Sequence, residues 1–249
     1  MKMNKLAGWL LLMMLSGQAL AFATVDEQID HYLDVYANDS VPNIETMLER
    51  LQWSGLADPR RFDTIAEGLD KPGLGKDMNN SDINLVAYRI RALGYSGNIK
   101  YRDILEEIKK SAGSGKLKRH AKKALVDLNN FQRWNKLIAA SDTSVTGKSV
   151  EVTTYMKMLN VDDVLVQRTA ARATFYEKRR DPDLLALIAE KLKASYLQSG
   201  LDREAQDTMA WFCKALGEND FRTYGDLLSD VVKNTPYKKI RKYASKYTK

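Results

Sequence analysis

The chain contains a copy of part of itself, and that copy constrains its fold more than any motif does. An ungapped offset of 123 residues carries Ala87 and Ala92-Leu93-Gly94 onto Ala210 and Ala215-Leu216-Gly217. The same offset carries Tyr101, Asp103 and Leu105 onto Tyr224, Asp226 and Leu228, and Ala121 and Lys123 onto Ala244 and Lys246. Upstream, Asp58-Pro59 falls on Asp181-Pro182, Ile65-Ala66-Glu67 on Ile188-Ala189-Glu190, and Leu69 on Leu192. The register holds without a slip from Asp58 to Lys123 and fades before Asp58. Self-similarity at one fixed offset is what repeat architectures leave in a sequence. It implies two tandem copies of one module.

Each copy reads as helices. Asp58-Pro59 and Asp181-Pro182 place a capping Asp before a Pro at the first helical position. Leu184, Leu185, Leu187, Ile188 and Leu192 then form an apolar stripe at helical spacing. Tyr101, Ile104, Leu105 and Ile108 recur at i, i+3, i+4, i+7, as do Tyr224, Leu227, Leu228 and Val231. Gly94 and Gly217 follow Ala-Leu, where a helix end wants a left-handed cap residue. Val150-Glu151-Val152-Thr153-Thr154 is the best strand candidate, and it is short and isolated. The expected class is all-α.

The unit is a helix ending in Ala92-Leu93-Gly94, an amphipathic helix with Ile104-Leu105, then Arg119-x-Ala121-x-x-Ala124-Leu125. It resembles the HEAT-type repeats, including the short repeats of phycobilin-lyase-like proteins. Gln167 to Arg172 followed by Asp181-Pro182-Asp183-Leu184-Leu185 looks like another unit, and residues 205 to 246 like a further one. The resemblance covers most of residues 41 to 249. It implies a right-handed α-solenoid, in which stacked helix pairs build a continuous core and a curved surface that binds proteins or other polymers. The Pro72-Gly73-Leu74-Gly75 segment and the stretch from Ser141 to Ser149 interrupt the repeats.

The first residues read as an export signal. Lys2 and Lys5 precede the apolar run Leu6 to Leu15, which Ser16-Gly17-Gln18 ends. Ala19-Leu20-Ala21 and Ala21-Phe22-Ala23 both offer small residues where a leader peptidase reads. The run is shorter than the roughly 20 apolar residues a membrane span needs. The expected division is a cleaved signal peptide over 1–23, a first module over 24–140 and a second over 141–249, with the two modules allowed to form one continuous solenoid. Losing Lys2 and Lys5 would lower the net charge from +7 to +5. The single cysteine, Cys213, excludes an intramolecular disulfide and a cysteine-based metal site. An exported chain stable without disulfides suits a bacterial periplasm, or release from the cell. No transmembrane span is expected after cleavage.

The residues that usually carry chemistry are sparse. His31 and His120 are the two histidines, and His120 falls opposite Tyr243 in the duplication, so it reads as a packing or rim position. Cys213 falls opposite Ile90 on an apolar helix and reads as core. Glu106-Glu107 and Asp162-Asp163 are adjacent in sequence, so their carboxylates splay; they read as a solvated face and a helix start. Gly73-Leu74-Gly75-Lys76 is too short for a phosphate loop. No catalytic, cofactor-binding or metal-binding residue is assigned, and no cofactor is expected. Trp53, Tyr88, Trp134, Trp211, Tyr224 and Tyr243 fall on helical stripes and suit a core or a groove.

Basic segments stand out. Lys116, Lys118, Arg119, Lys122 and Lys123 form one. Lys178-Arg179-Arg180 is a second, and Lys238, Lys239, Arg241, Lys242 and Lys246 form a third, without an acidic residue. The first and third are duplication partners, so they are the candidate surface for a partner or a polyanion. The expected function is a non-enzymatic, exported scaffold that presents a helical-repeat surface to a protein partner. The alternatives are a binder of anionic envelope polymers or lipid head groups through the basic helices, and an enzyme or small-molecule carrier with a concave-face pocket. Export argues against nucleic acid as the partner.

Overall fold

The computed structural model describes residues 21–55, 57–71, 73–141 and 147–248. The expected leader lies mostly in residues 1–20, outside the described residues, as do Pro72 and residues 142–146 of the interrupting stretch.

The described residues form helices, 3-10 turns and loops, with no strand among them. In chain order the helices are α1 (Val25–Asn38), α2 (Val41–Arg50), α3 (Pro59–Ala66), α4 (Asn80–Tyr95), α5 (Arg102–Ser111) and α6 (Gly115–Ala140). They continue as α7 (Val150–Asn160), α8 (Val164–Tyr176), α9 (Pro182–Ser195), α10 (Arg203–Asn234) and α11 (Lys238–Ala244). Short 3-10 turns occupy Ile99–Tyr101 and Ser245–Tyr247. Val150–Thr154, the strand candidate, is the start of α7. Its β-branched residues alternate for too few positions to specify a strand, and Ser149 caps the helix by accepting from the Val152 N–H.

Capping residues set the helix starts. Asp58 and Asp181 accept backbone N–H bonds ahead of Pro59 and Pro182, as their sequence implied. Asn79 and Asp202 do the same at the starts of α4 and α10. Thr24 and Glu27 close a reciprocal capping box on α1. Helices α2, α3, α4 and α6 begin at residues 41, 59, 80 and 115, and α8, α9, α10 and α11 at 164, 182, 203 and 238. The left-handed turn residues between these helices pair likewise. Gly55 takes a left-handed φ of 68°, and Lys178 takes one at 51°, the one non-glycine to do so among the described residues.

Gly94 and Gly217 do not cap helix ends. Gly94 lies inside α4 and Gly217 inside α10, both buried. They permit close approach of a neighbouring element. A Cβ on Gly94 would stand 2.6 Å from the Ala124 carbonyl oxygen on α6, and one on Gly217 would collide with the Tyr247 ring. The left-handed residue after α4 is Gly97, three positions later, at φ 62°. At the matching place α10 carries Asp220, kinks there (φ −153°, ψ 69°), and continues as helix.

Two groups of buried side chains form the core. One runs from Ile29 to Leu128, and the other from Val152 to Ala244 with Trp53 and Trp134 added. In the first, α4 packs between α2 and α6; in the second, α10 packs between α8 and α11. Helix α6 outruns its partner α11 and delivers Trp134 to the second core, where the indole N–H donates to Asp163 at 3.2 Å. Phe131 packs against both groups.

A buried polar cluster joins the two groups. The Glu177 carboxylate accepts from the Trp53 indole at 3.1 Å, the Tyr155 hydroxyl at 2.9 Å and Arg179 at 2.9 Å. Burial holds the Tyr155 hydroxyl well above its ordinary pKa, with the Glu177 charge adding to the effect. Gln28 donates to Glu151 at 3.3 Å across the same junction. Arg61 is also buried, with its guanidinium 3.8 Å over the Tyr32 ring, and burial pushes its pKa down to about 9.

Candidate partner-binding groove

Helical spacing builds the site. Asp207, Ala210, Trp211 and Lys214 occur at i, i+3, i+4 and i+7 and share one face of α10. Arg168 and Arg172, one turn apart on α8, face them, and Tyr243 of α11 closes the third side. These residues line a cavity of about 390 Å³. That cavity is the second in chain order; the first, of about 500 Å³, lies between α2, α4 and α6 and is lined by Glu45, Glu49, Asn84, Tyr88, Arg91 and His120, among others. The two linings occupy matching places: 45 and 168, 49 and 172, 84 and 207, 88 and 211, 91 and 214, 120 and 243. Arg172 lines both cavities and so joins them.

The two cavities differ in how their charges are arranged and paired. Where α2 presents Glu45 and Glu49, α8 presents Arg168 and Arg172. In the first cavity Arg91 is neutralised by Asp127 at 2.8 Å and also donates to the Tyr95 hydroxyl at 2.7 Å. In the second cavity neither Arg172 nor Lys214 has an ion pair among the described residues. Asp207 there is committed to Arg168 at 3.0 Å and Lys239 at 2.5 Å. Burial opposes its charge, but those two cations hold its carboxyl below the usual range.

Arg172 and Lys214 are instead stacked into a row that alternates cation and ring. The Arg172 guanidinium lies 5.8 Å from the Trp53 ring and 5.4 Å from that of Trp211. Lys214 Nζ sits 3.3 Å from the Trp211 ring centre and 5.9 Å from that of Tyr243. Lys246 Nζ follows, 5.2 Å from Tyr243. Tyr176, half exposed, stacks on Trp53 at 5.5 Å and 11°. Ring faces attract cations, so they hold the ammonium and guanidinium groups in place without neutralising them. Burial, with Lys246 and Arg172 nearby, lowers the Lys214 pKa. Burial lowers that of His120 too, helped by Arg91 and Lys116. Crowded like charges on an aromatic wall raise the local positive potential.

The basic residues singled out in the sequence divide by location. Lys116 and Lys123 line the first cavity, and Lys116 donates to Asn84. Lys239 pairs with Asp207, and Lys246 ends the row. Arg241 reaches the Thr235 and Val232 carbonyls at 2.6 and 3.3 Å and closes the end of α10. Lys118, Arg119, Lys122, Lys238 and Lys242 are exposed and make no ion pair among the described residues. Sequence reasoning passed over Arg168, Arg172 and Lys214. The signal for them was present: each sits 123 positions after a polar residue on the same helical face. Lys214, adjacent to Cys213 in sequence, lines this groove. Cys213 itself is buried in the core, and burial pushes its thiol up to about 12. Among the described residues no cluster of His, Cys, Asp and Glu could hold a metal ion.

No protein-family model matches the chain, and no curated protein matches it. The solved structure of human deoxyhypusine hydroxylase in complex with glycerol is similar at 12% identity and a TM-score of 0.36, over 88% of this chain and 82% of that one. Among the described residues no helix is long and apolar enough to cross a membrane.

Proposed function

We propose that this protein is an exported, HEAT-like binding protein built from two tandem copies, which presents its cation–aromatic row to an acidic segment of a protein partner. The single observation that carries the binding reading is the row Trp53–Arg172–Trp211–Lys214–Tyr243–Lys246, whose cations are held by rings and left open to a ligand's anions. The duplicated solenoid is supported by four pairs of helix starts 123 residues apart and by two cavities with matched linings. Export to a periplasm is supported by the charge, apolar run and small residues of positions 1–23.

An acidic protein segment suits the row better than a regular anionic polymer. Arg172 and Lys214 are uncompensated in the second cavity, whereas in the first Glu45 and Glu49 alternate with Arg91, Lys116 and Lys123. A ligand matching both must vary along its length, as a polypeptide does. The test is calorimetric titration of the protein with a glutamate-rich peptide carrying one aromatic residue, and in parallel with an anionic polysaccharide. The reading predicts saturable binding of the peptide that is lost in Arg172→Ala/Lys214→Ala. Tight polysaccharide binding with no peptide binding would replace it with the envelope-polymer reading, and binding of neither would remove both.

A further inference from the structure

We propose that the chain is cut between Ala21 and Phe22, and that the α-ammonium created at Phe22 pairs with the buried carboxylate of Glu151. This rests on the export reading above. The step is hydrolysis by a leader peptidase: water adds across the Ala21–Phe22 peptide bond, leaving a carboxylate on Ala21 and an ammonium on Phe22.

Glu151 is 3% exposed. Its two hydrogen bonds are long and come from neutral groups: Gln28 Nε2 at 3.3 Å to Oε1, and the Phe22 backbone nitrogen at 3.4 Å to Oε2. The nearby cation, Arg179, is engaged by Glu177 at 2.9 Å. A buried carboxylate with so little compensation is costly unless a charge joins it. The Phe22 nitrogen already stands at the right place. As an amide it offers one proton and no charge; as a terminal ammonium it offers three protons and a full charge. The same cluster leaves Gln28 Oε1 buried with no donor.

Phe22 is also anchored as a structural residue rather than as part of a discarded leader. Its carbonyl accepts the Val150 N–H at 2.9 Å, satisfying a donor that the start of α7 would otherwise leave open. Its ring packs 5.2 Å from His31 and 6.4 Å from Tyr32. Ala21 is exposed. Of the two cleavage positions the sequence allows, the one after Ala23 would discard all of these contacts. The one after Ala21 keeps them and strengthens one.

The experiment expresses the full chain in a bacterial host and reads the intact mass and N-terminal residue of the exported product. Phe22 at the terminus supports the inference. Thr24 there overturns it and leaves export standing, while an uncut chain retained in the cytoplasm overturns both. The pairing is read by comparing the processed protein with a chain started at Met in place of Ala21, whose Phe22 nitrogen stays an amide. The processed protein should melt higher by about 3 °C or more. Glu151→Gln should erase that difference. Equal melting of the two wild-type forms would overturn the pairing.

Discussion

At the residue scale, positions 123 residues apart can be compared directly. Gly94 and Gly217 hold the same place, but a Cβ on Gly94 meets backbone, whereas one on Gly217 meets a side chain near the chain end. Backbone of a packed helix cannot yield, and a terminal ring can. Gly94→Ala should therefore cost about 1–3 kcal/mol by overpacking, and Gly217→Ala distinctly less; chemical denaturation of the two variants checks the order. Arg61 is a buried cation, whereas Leu184, 123 positions later, is a buried apolar residue. Arg61→Leu should leave stability unchanged or raise it by about 1 kcal/mol, since an apolar residue can replace a buried charge without loss. Folding lowers the pKa of both histidines from 6.5, through burial first. The unfolded chain then binds protons more readily, so stability is intact above about pH 6.5 and falls as pH drops below it. Melting curves that rise on acidification would contradict this. The glycines show where sequence reading ran out. Ala-Leu-Gly identifies a small residue near a helix end, but whether it serves a turn or a contact depends on α6, which passes nearby.

At the element scale, the helices were legible because caps and stripes are local. Asp-Pro starts and i, i+3, i+4, i+7 stripes specify α3, α9 and the second half of α10 without tertiary information. Val150–Thr154 is the best strand candidate because two valines and two threonines favour a strand locally, but it is short and isolated. The Ser149 cap and the burial of Val152 and Tyr155 against neighbouring helices decide for α7. The bond between the two cores was not legible. Trp53 and Tyr155 lie 124 and 22 residues from Glu177, and the basic run holding Arg179 gives no sign that Glu177 engages it. Glu177 is their hub. Glu177→Ala would leave Arg179 buried without its partner, at a cost of about 3–5 kcal/mol. It would also free Trp53, so its fluorescence should shift before global unfolding. A variant as stable as wild type would mean that the cluster does not hold the two halves together.

At the scale of the whole molecule, the sequence pointed to cationic helices and the structure moves the emphasis within them. Basic runs are visible in any sequence, but which cations a fold neutralises is not. Lys239 and Arg241 are occupied by Asp207 and by backbone carbonyls. Arg172 and Lys214, isolated in sequence, become the uncompensated pair because α8 and α10 bring them to one aromatic wall. Exposed charges contribute little once salt screens them, whereas ring-held cations facing a cavity contribute directionally. The most direct measurement compares acidic-peptide affinity for two variants that each lose two positive charges, Arg172→Ala/Lys214→Ala and Lys118→Ala/Lys242→Ala, at moderate salt. The account predicts a loss of at least about tenfold for the first, worth ~1.4 kcal/mol, and little change for the second. Equal losses in both would show that net charge alone attracts the peptide and that the row is not the binding site.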